Sequence, residues 1–348
     1  MATTEPSAAD AQGQNHREQP VCAAASKPRF SSAASLAGLL LLLHVLPPAS
    51  ADGGYASRDL NPLLQPIYLP TLAGFSRANG WRVDHSLYIT NTLQEETESG
   101  EYLLIDVENY RYELGLRYRH DNWLARMDIP FVSNTTGQLD ATIERWHDFF
   151  GLPQGNRKKF ERDQIKLDYQ RDGESVYDQS STSNGIGDIS IAVGYQPDDA
   201  WAYFAGIELA TGAIENLSGN EAIDAALWAT RQFELSPQTG GFVLLGLSLP
   251  GNSEYLQGLI AERIWVAQFG VDYRFDPAVV GTLQFDMHSR SIDDSELTAF
   301  GNSLQIQLGL GFPKLFGEHR LDLFFSEDIL VGSAPDISFG LRVSRAYD

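Results

Sequence analysis

The sequence predicts an all-β fold: a transmembrane antiparallel up-and-down barrel of about twelve strands. Three observations carry that prediction. Apolar residues recur every second position through most of the chain, the rhythm of strands with one apolar and one polar face. The alternating arms run to roughly ten residues, the length a tilted strand needs to cross a bilayer and above the ~5–6 of soluble strands. The connections sort by length, short after even-numbered arms and longer after odd ones, as in barrels with tight turns on one side and loops on the other.

The clearest hairpin sets the pattern. Trp265, Ala267, Phe269, Val271, Tyr273 and Phe275 alternate with Gln268, Gly270, Asp272 and Arg274. After Asp276-Pro277 the rhythm resumes as Val279, Gly281, Leu283, Phe285 and Met287 against Thr282, Gln284, Asp286 and His288. Earlier, Trp81, Val83, His85, Leu87 and Ile89 share one parity. An acidic connection with Glu95, Glu96, Glu98 and Glu101 leads to an arm in which Tyr112, Leu114, Leu116 and Tyr118 oppose Arg111, Glu113, Arg117 and Arg119. A turn at His120-Asp121-Asn122 precedes Trp123 to Phe131, with Arg126 and Asp128 on the polar face. Charges on alternate residues would each cost ~2–4 kcal/mol facing lipid at mid-depth, so they face a lumen.

Residues 133–185 interrupt the rhythm, and a long aromatic-rich insertion of this kind is expected to be an ordered extracellular cap. Asp140 to Phe150 reads as a short helix stopped by Gly151 and Pro153. Ile165–Tyr169 and Ser175–Tyr177 read as a hairpin about Asp172-Gly173. Further arms follow at Gly187–Tyr195, Trp201–Leu209, Ile223–Gln232 and Phe242–Leu249. Beyond the central hairpin come Leu304–Phe312, Leu321–Phe325 and Ile337–Val343. The short connections are then 120–122, 197–200, 276–277 and 314–318, and the long ones 133–185, 212–222, 250–261 and 289–301.

The N-terminal part is different. Lys27 and Arg29, an apolar run from Ala33 to Leu46 and Ala49-Ser50-Ala51 have the order of a cleaved export signal over residues 1–51, and the long polar stretch ahead of Lys27 fits a true start codon farther downstream. Cys22 precedes the apolar run and would leave with the signal, so the mature chain offers no disulfide and no cysteine zinc site. Residues 52–80 hold Pro62, Pro66 and Pro70, which exclude a central strand or regular helix and leave an extended arm, either a plug in the barrel mouth or a periplasmic lead-in. A formal charge of −21 excludes nucleic acid as a partner. The expected surroundings are those of the bacterial outer membrane: its lipid and lipopolysaccharide, the barrel-assembly machinery and a small solute.

Four stretches resemble a gammaproteobacterial family of envelope proteins, domain of unknown function 3187: 61–68 (Asn-Pro-Leu-Leu-Gln-Pro-Ile-Tyr), 146–153 (Trp-His-Asp-Phe-Phe-Gly-Leu-Pro), 181–188 (Ser-Thr-Ser-Asn-Gly-Ile-Gly-Asp) and 326–336. The resemblance implies an outer-membrane barrel and transfers no activity, catalytic residue or cofactor.

The candidate site is therefore the lumen, lined by Arg111, Glu113, Arg117, Arg119, Arg126, Asp128, Asp272, Arg274, Asp286, His288 and Arg342. Such residues either form a salt-bridged core that holds the wall rigid or a lining that selects solutes by charge. The cap residues are Trp146, His147, Asp148, Phe149 and Phe150. The functional expectation is a channel or transporter for a small solute, without cofactor. The alternatives are a structural or adhesive barrel working through its outer loops and, last, a lipid-modifying barrel enzyme using His85, which stands on the apolar parity. The acidic loops at Glu95/Glu96/Glu98 and Asp293/Asp294/Glu296 lack the spacing of a calcium loop.

Overall fold

The computed structural model describes residues 54–72, 79–151 and 157–347. The export signal and Cys22 lie outside them. Fifteen strands form one antiparallel sheet, and twelve of these close on themselves. In chain order they are β1 (Gly80–Glu98), β2 (Glu101–His120), β3 (Trp123–Thr135), β7 (Ile189–Tyr195), β8 (Trp201–Leu209), β9 (Asp224–Ser236), β10 (Thr239–Leu249), β11 (Ile264–Asp276), β12 (Val279–His288), β13 (Ser303–Phe316), β14 (His319–Asp328) and β15 (Ile337–Tyr347). Each pairs with the next in this series, and β15 returns to β1 with Tyr347 opposite Trp81 and Ile337 opposite Asn91. The free edges of a flat sheet are thereby removed.

Turns of two residues join β2 to β3, β9 to β10, β11 to β12 and β13 to β14, and five residues join β7 to β8. The remaining connections lie at the other end and are longer, apart from the two-residue turn Ser99-Gly100. There the sequence expectation needs correction. The acidic stretch Glu95–Glu101 is a continuation of both strands, joined by a turn in which Ser99 and Gly100 both take positive φ (48° and 86°). The polarity of these residues follows from their position: β1 beyond Asn91 has left β15, and β2 above Asp106 pairs with β4 (Lys166–Arg171) of the insertion. Asp172-Gly173 then turns β4 into β5 (Glu174–Gln179) with the same pair of positive φ angles, the twist-matched hairpin turn. A short strand that the sequence reading missed, β6 (Ser183–Ile186), pairs with the upper part of β3. It is separated from β7 at Gly187-Asp188, opposite Pro130, which has no N–H to continue the ladder.

Parity sorts the side chains as the alternation requires. Trp265, Phe269, Tyr273, Leu308, Leu310, Leu323, Phe339 and Leu341 are exposed on the outside, while Gln268, Asp272, Gln284, Asp286, Gln305 and Gln307 are buried within. Near the short-turn end the outward aromatics pair: Trp81 with Tyr118 at 4.7 Å, Trp123 with Tyr195 at 5.2 Å and Tyr273 with Phe275 at 5.0 Å between centroids. An apolar outside bounded by aromatics is the surface of a barrel that spans a membrane. None of the described helices is long and apolar enough to cross one.

At the loop end the insertion and the connections pack over the mouth. Leu103, Ile105, Leu167, Tyr169, Tyr255, Ile292 and Phe300 form an apolar core there, with the Tyr169 and Phe300 rings 5.0 Å apart. The resulting dome covers the bore.

Candidate functional site

The bore is occupied by residues 54–72 of the chain itself. This arm forms a finger open towards the short-turn end. Its first limb rises along β12. Tyr55 meets Gln284, Ser57 donates to Asp286, and Asp59 reaches His288 at the top of that strand, 3.0 Å away. The chain then turns beneath the dome. Asn61 accepts from the backbone of Leu64 and Gln65 (2.8 and 2.9 Å) and its side chain accepts from Leu63 N, with Pro62 where a missing N–H is harmless. The second limb descends past β8–β11: Tyr68 N donates to Asp224, Ser248 Oγ donates to Tyr68 O, and Leu72 N donates to Gln268. Arg58 ties the limbs together by donating to the carbonyls of Gln65 and Ile67.

The arm's two chemistries meet two sectors of wall. Leu63, Leu64, Ile67 and Leu72 pack with inward Phe204, Trp228, Phe242 and Leu244, where the Phe204 and Trp228 rings stack at 5.1 Å. Glycine leaves room for the second limb. A Cβ at Gly206 would meet Tyr68 Oη, and one at Gly246 would come within 2.8 Å of Pro70. On the other side stand the charges. Arg117 contacts Asp128 at 2.6 Å and Asp84 at 3.8 Å, Arg126 contacts Asp128 at 2.5 Å, and Arg342 contacts Asp322 at 2.9 Å. Arg126 also donates to Thr71 O and Oγ1, at 2.9 and 2.6 Å, carrying the charged sector to the arm.

Of the lumen residues read from sequence, Arg111, Glu113, Arg117, Arg126, Asp128, Asp272, Asp286, His288 and Arg342 are buried within the barrel. Arg111 pairs with Glu113 at 3.1 Å, and Asp272 accepts from Thr282 at 2.6 Å. Arg119 is half-buried and donates to Gln196 at 2.8 Å. Arg274 is exposed at the short-turn end, where the β11–β12 register slips. Between the charges and the arm a void of about 20 Å³ remains, bordered by Arg58, Tyr68, Arg111, Glu113, Arg126 and Ser190.

In the insertion, α1 (Asp140–Phe150) is tied to the barrel through Asp140. That carboxylate accepts from Asn91 (3.0 Å) and Arg157 (3.3 Å), and Arg157 reaches Asp336 at 2.7 Å. Asp148 and Phe149 are exposed. The side chains of Trp146, His147 and Phe150 lie outside the described residues. His85 points outward, its Nδ1 2.7 Å from Tyr112 Oη. Among the described residues no three His, Cys, Asp or Glu side chains group to hold a metal ion.

Among the inward residues that sequence reasoning passed over are two charged partners, Asp84 and Asp322, and the uncharged residues that hold the arm. Gln284 accepts from Tyr55 N (2.7 Å) and donates to Tyr55 O (3.1 Å); Gln268 accepts from Leu72 N (2.8 Å) and donates to Ser57 O (2.8 Å). Their inward parity was readable in the sequence. Their role was not, because it depends on an arm that no periodicity places.

No curated protein matches the chain. Among solved structures, an outer-membrane channel from Pseudomonas putida F1 is 13% identical with a TM-score of 0.49, covering 84% of this chain and 100% of its own. A toluene transporter from Ralstonia pickettii is 10% identical with a TM-score of 0.40, covering 88% and 100%. The NanC porin is 10% identical with a TM-score of 0.40, covering 77% and 99%. The barrel assignment stands on the strand pairing of this chain. A family model described as protein of unknown function (DUF3187) matches residues 53–345, nearly the whole described barrel with its arm, and the chain belongs to that family.

Proposed function

We propose that this protein is an outer-membrane channel for a small polar solute, held shut by residues 54–72 acting as a plug. One observation carries the reading: the arm is lodged in the bore without pairing to any wall strand, and both its limbs open towards the same end. A segment built that way can leave without breaking the wall, whereas a strand cannot. Short turns on that side and loops on the other fit a periplasmic entrance for the arm and an external dome. The charged sector beside the arm, with Arg58, Arg111, Glu113, Arg126 and Asp128 around the remaining void, would become the lining of the open path.

Planar-bilayer recording tests this. The intact protein should conduct rarely, and removal of 54–72 should give long-lived openings. A folded barrel that stays silent without its arm would defeat the channel reading.

The apolar core of the dome favours a second reading, in which the barrel is a scaffold and the outer loops do the work. Deleting 133–185 should then abolish partner binding while the wall still folds.

A further inference from the structure

The seat of the arm is built to recognise backbone. Gln284 presents both halves of its amide to Tyr55, taking the N–H and giving to the C=O of one residue, as a neighbouring strand would. Gln268 does the same across the two limbs, accepting from Leu72 N and donating to Ser57 O. These four bonds read no side chain. The seat also has capacity the arm does not use: Gln307 donates to Ser57 Oγ and Asp286, but its Oε1 is buried without a partner. Gln305 stands inward next to it on β13.

An extended chain puts the N–H and C=O of one residue on the same edge and repeats them every second residue, at about 6.6–6.8 Å. Three adjacent strands here carry inward amides that meet such an edge. From this geometry, and resting on the plug reading above, we propose that the seat of the arm is a binding site for short extended peptides, with Gln268, Gln284 and Gln307 as its backbone clamps. The arm is then an internal occupant standing in for the ligand. Because the bonds are to main chain, the site is tolerant of sequence. Adjacent hydroxyls of a sugar can also meet one amide as donor and acceptor, so a sugar of equal size is the comparison that decides for a peptide.

The test uses the full chain carrying Cys22→Ser and Ala56→Cys, and reads how fast a membrane-impermeant maleimide reaches the arm. The Ala56 contact from the wall is to its carbonyl, given by Tyr88 Oη at 2.7 Å, so the substitution leaves it in place. Only the withdrawn state exposes the seat. A peptide binding there with a millimolar Kd should raise the labelled population by 1 + [peptide]/Kd, about tenfold at ~10 mM. N-acetyl-trialanine amide is the probe and maltose at the same concentration the comparison. Peptide-driven acceleration, absent with maltose and lost in Gln284→Leu, supports the site. No acceleration, or equal acceleration by maltose, overturns it. Liposome swelling on the same protein separates the two readings. Swelling without peptide-driven labelling keeps the plugged channel and removes the peptide site. Peptide-driven labelling without swelling by any solute keeps the site and removes the channel.

Discussion

Replacing Gln284 by leucine tests the hold on the arm most directly. The substitution keeps the volume near the original and removes two bonds to Tyr55, at 2.7 and 3.1 Å, and a third to Ser57 Oγ at 3.2 Å. Tyr55 and Ser57 are buried, so their polar groups would be left in place without partners. Such a buried donor or acceptor costs about 1–3 kcal/mol. Counting only the two backbone groups of Tyr55, the inserted arm loses about 2–6 kcal/mol relative to the withdrawn arm, where water serves them. At 1.36 kcal/mol per tenfold, the withdrawn population rises about 30- to 25,000-fold. Open probability in planar bilayers reads this, and so does protease cleavage within 54–72 while the barrel stays intact. Gln268→Leu, which unpairs Leu72 N and Ser57 O, should act alike. Changes below threefold in both variants, with the barrel folded, would refute the idea that side-chain amides hold the arm.

Three further outcomes follow from other parts of the molecule. Gly246→Leu pushes a side chain into Pro70, 2.8 Å from where its Cβ would stand, and should raise conductance without altering the heat-dependent gel mobility of the barrel. His85→Ala should leave the lipid profile of the membrane unchanged: the imidazole's bonded partner is the hydroxyl of Tyr112, and a changed profile would revive the lipid-modifying alternative. The cap should tighten in acid. Burial, followed by the nearby charge of Asp140 and opposed by Arg157, pushes Asp106 up to about 7. Its folded value lies above the ~3.9 of an unfolded aspartate, so folding takes up a proton between those values. The cap therefore gains stability as pH falls through about 7 and lacks that contribution above it. Amide protection over 101–106 and 166–171, corrected for intrinsic exchange, should be greater at pH 5.5 than at pH 8, and Asp106→Asn should flatten the difference. Protection that falls in acid would contradict the assignment.

What was legible in the sequence was the wall. Two-residue rhythm fixes which side chains face lipid, and one slip of register would turn every one of them over, so the pattern at 265–288 could hardly mislead. The turn at Asp172-Gly173 was legible because few residue pairs tolerate positive φ twice; Ser99-Gly100 does the same job less conspicuously and was taken for loop. The site was half legible. Arg117, Arg126, Asp128 and Arg342 announced a polar interior by their charge, but alternation says only that they point inward, never what they meet. The arm breaks periodicity through its prolines, so its path is set by tertiary partners alone. The glutamines that hold it looked like filler on the polar parity.

The distribution of forces along the arm argues for where its release is controlled. The limbs are held by hydrogen bonds, a net of about 0.5–1.5 kcal/mol each, and by the buried side chains of Tyr55, Tyr68, Leu69 and Leu72. At the tip Leu63, Leu64 and Ile67 are fully buried, and leaving an apolar environment costs about 1.5–3 kcal/mol for each side chain. They pack in the same apolar cluster as Tyr255 of the dome, which donates to Leu63 O at 2.8 Å, and Tyr255 in turn meets Tyr177 of β5 edge-on at 6.1 Å. The grip on the tip thus lies at the end farthest from its way out, and the dome supplies part of it. An event outside that loosens the dome weakens the tip first, after which the limbs can follow. The outer loops and the bore are one mechanical unit, joined through Tyr255 and Leu63.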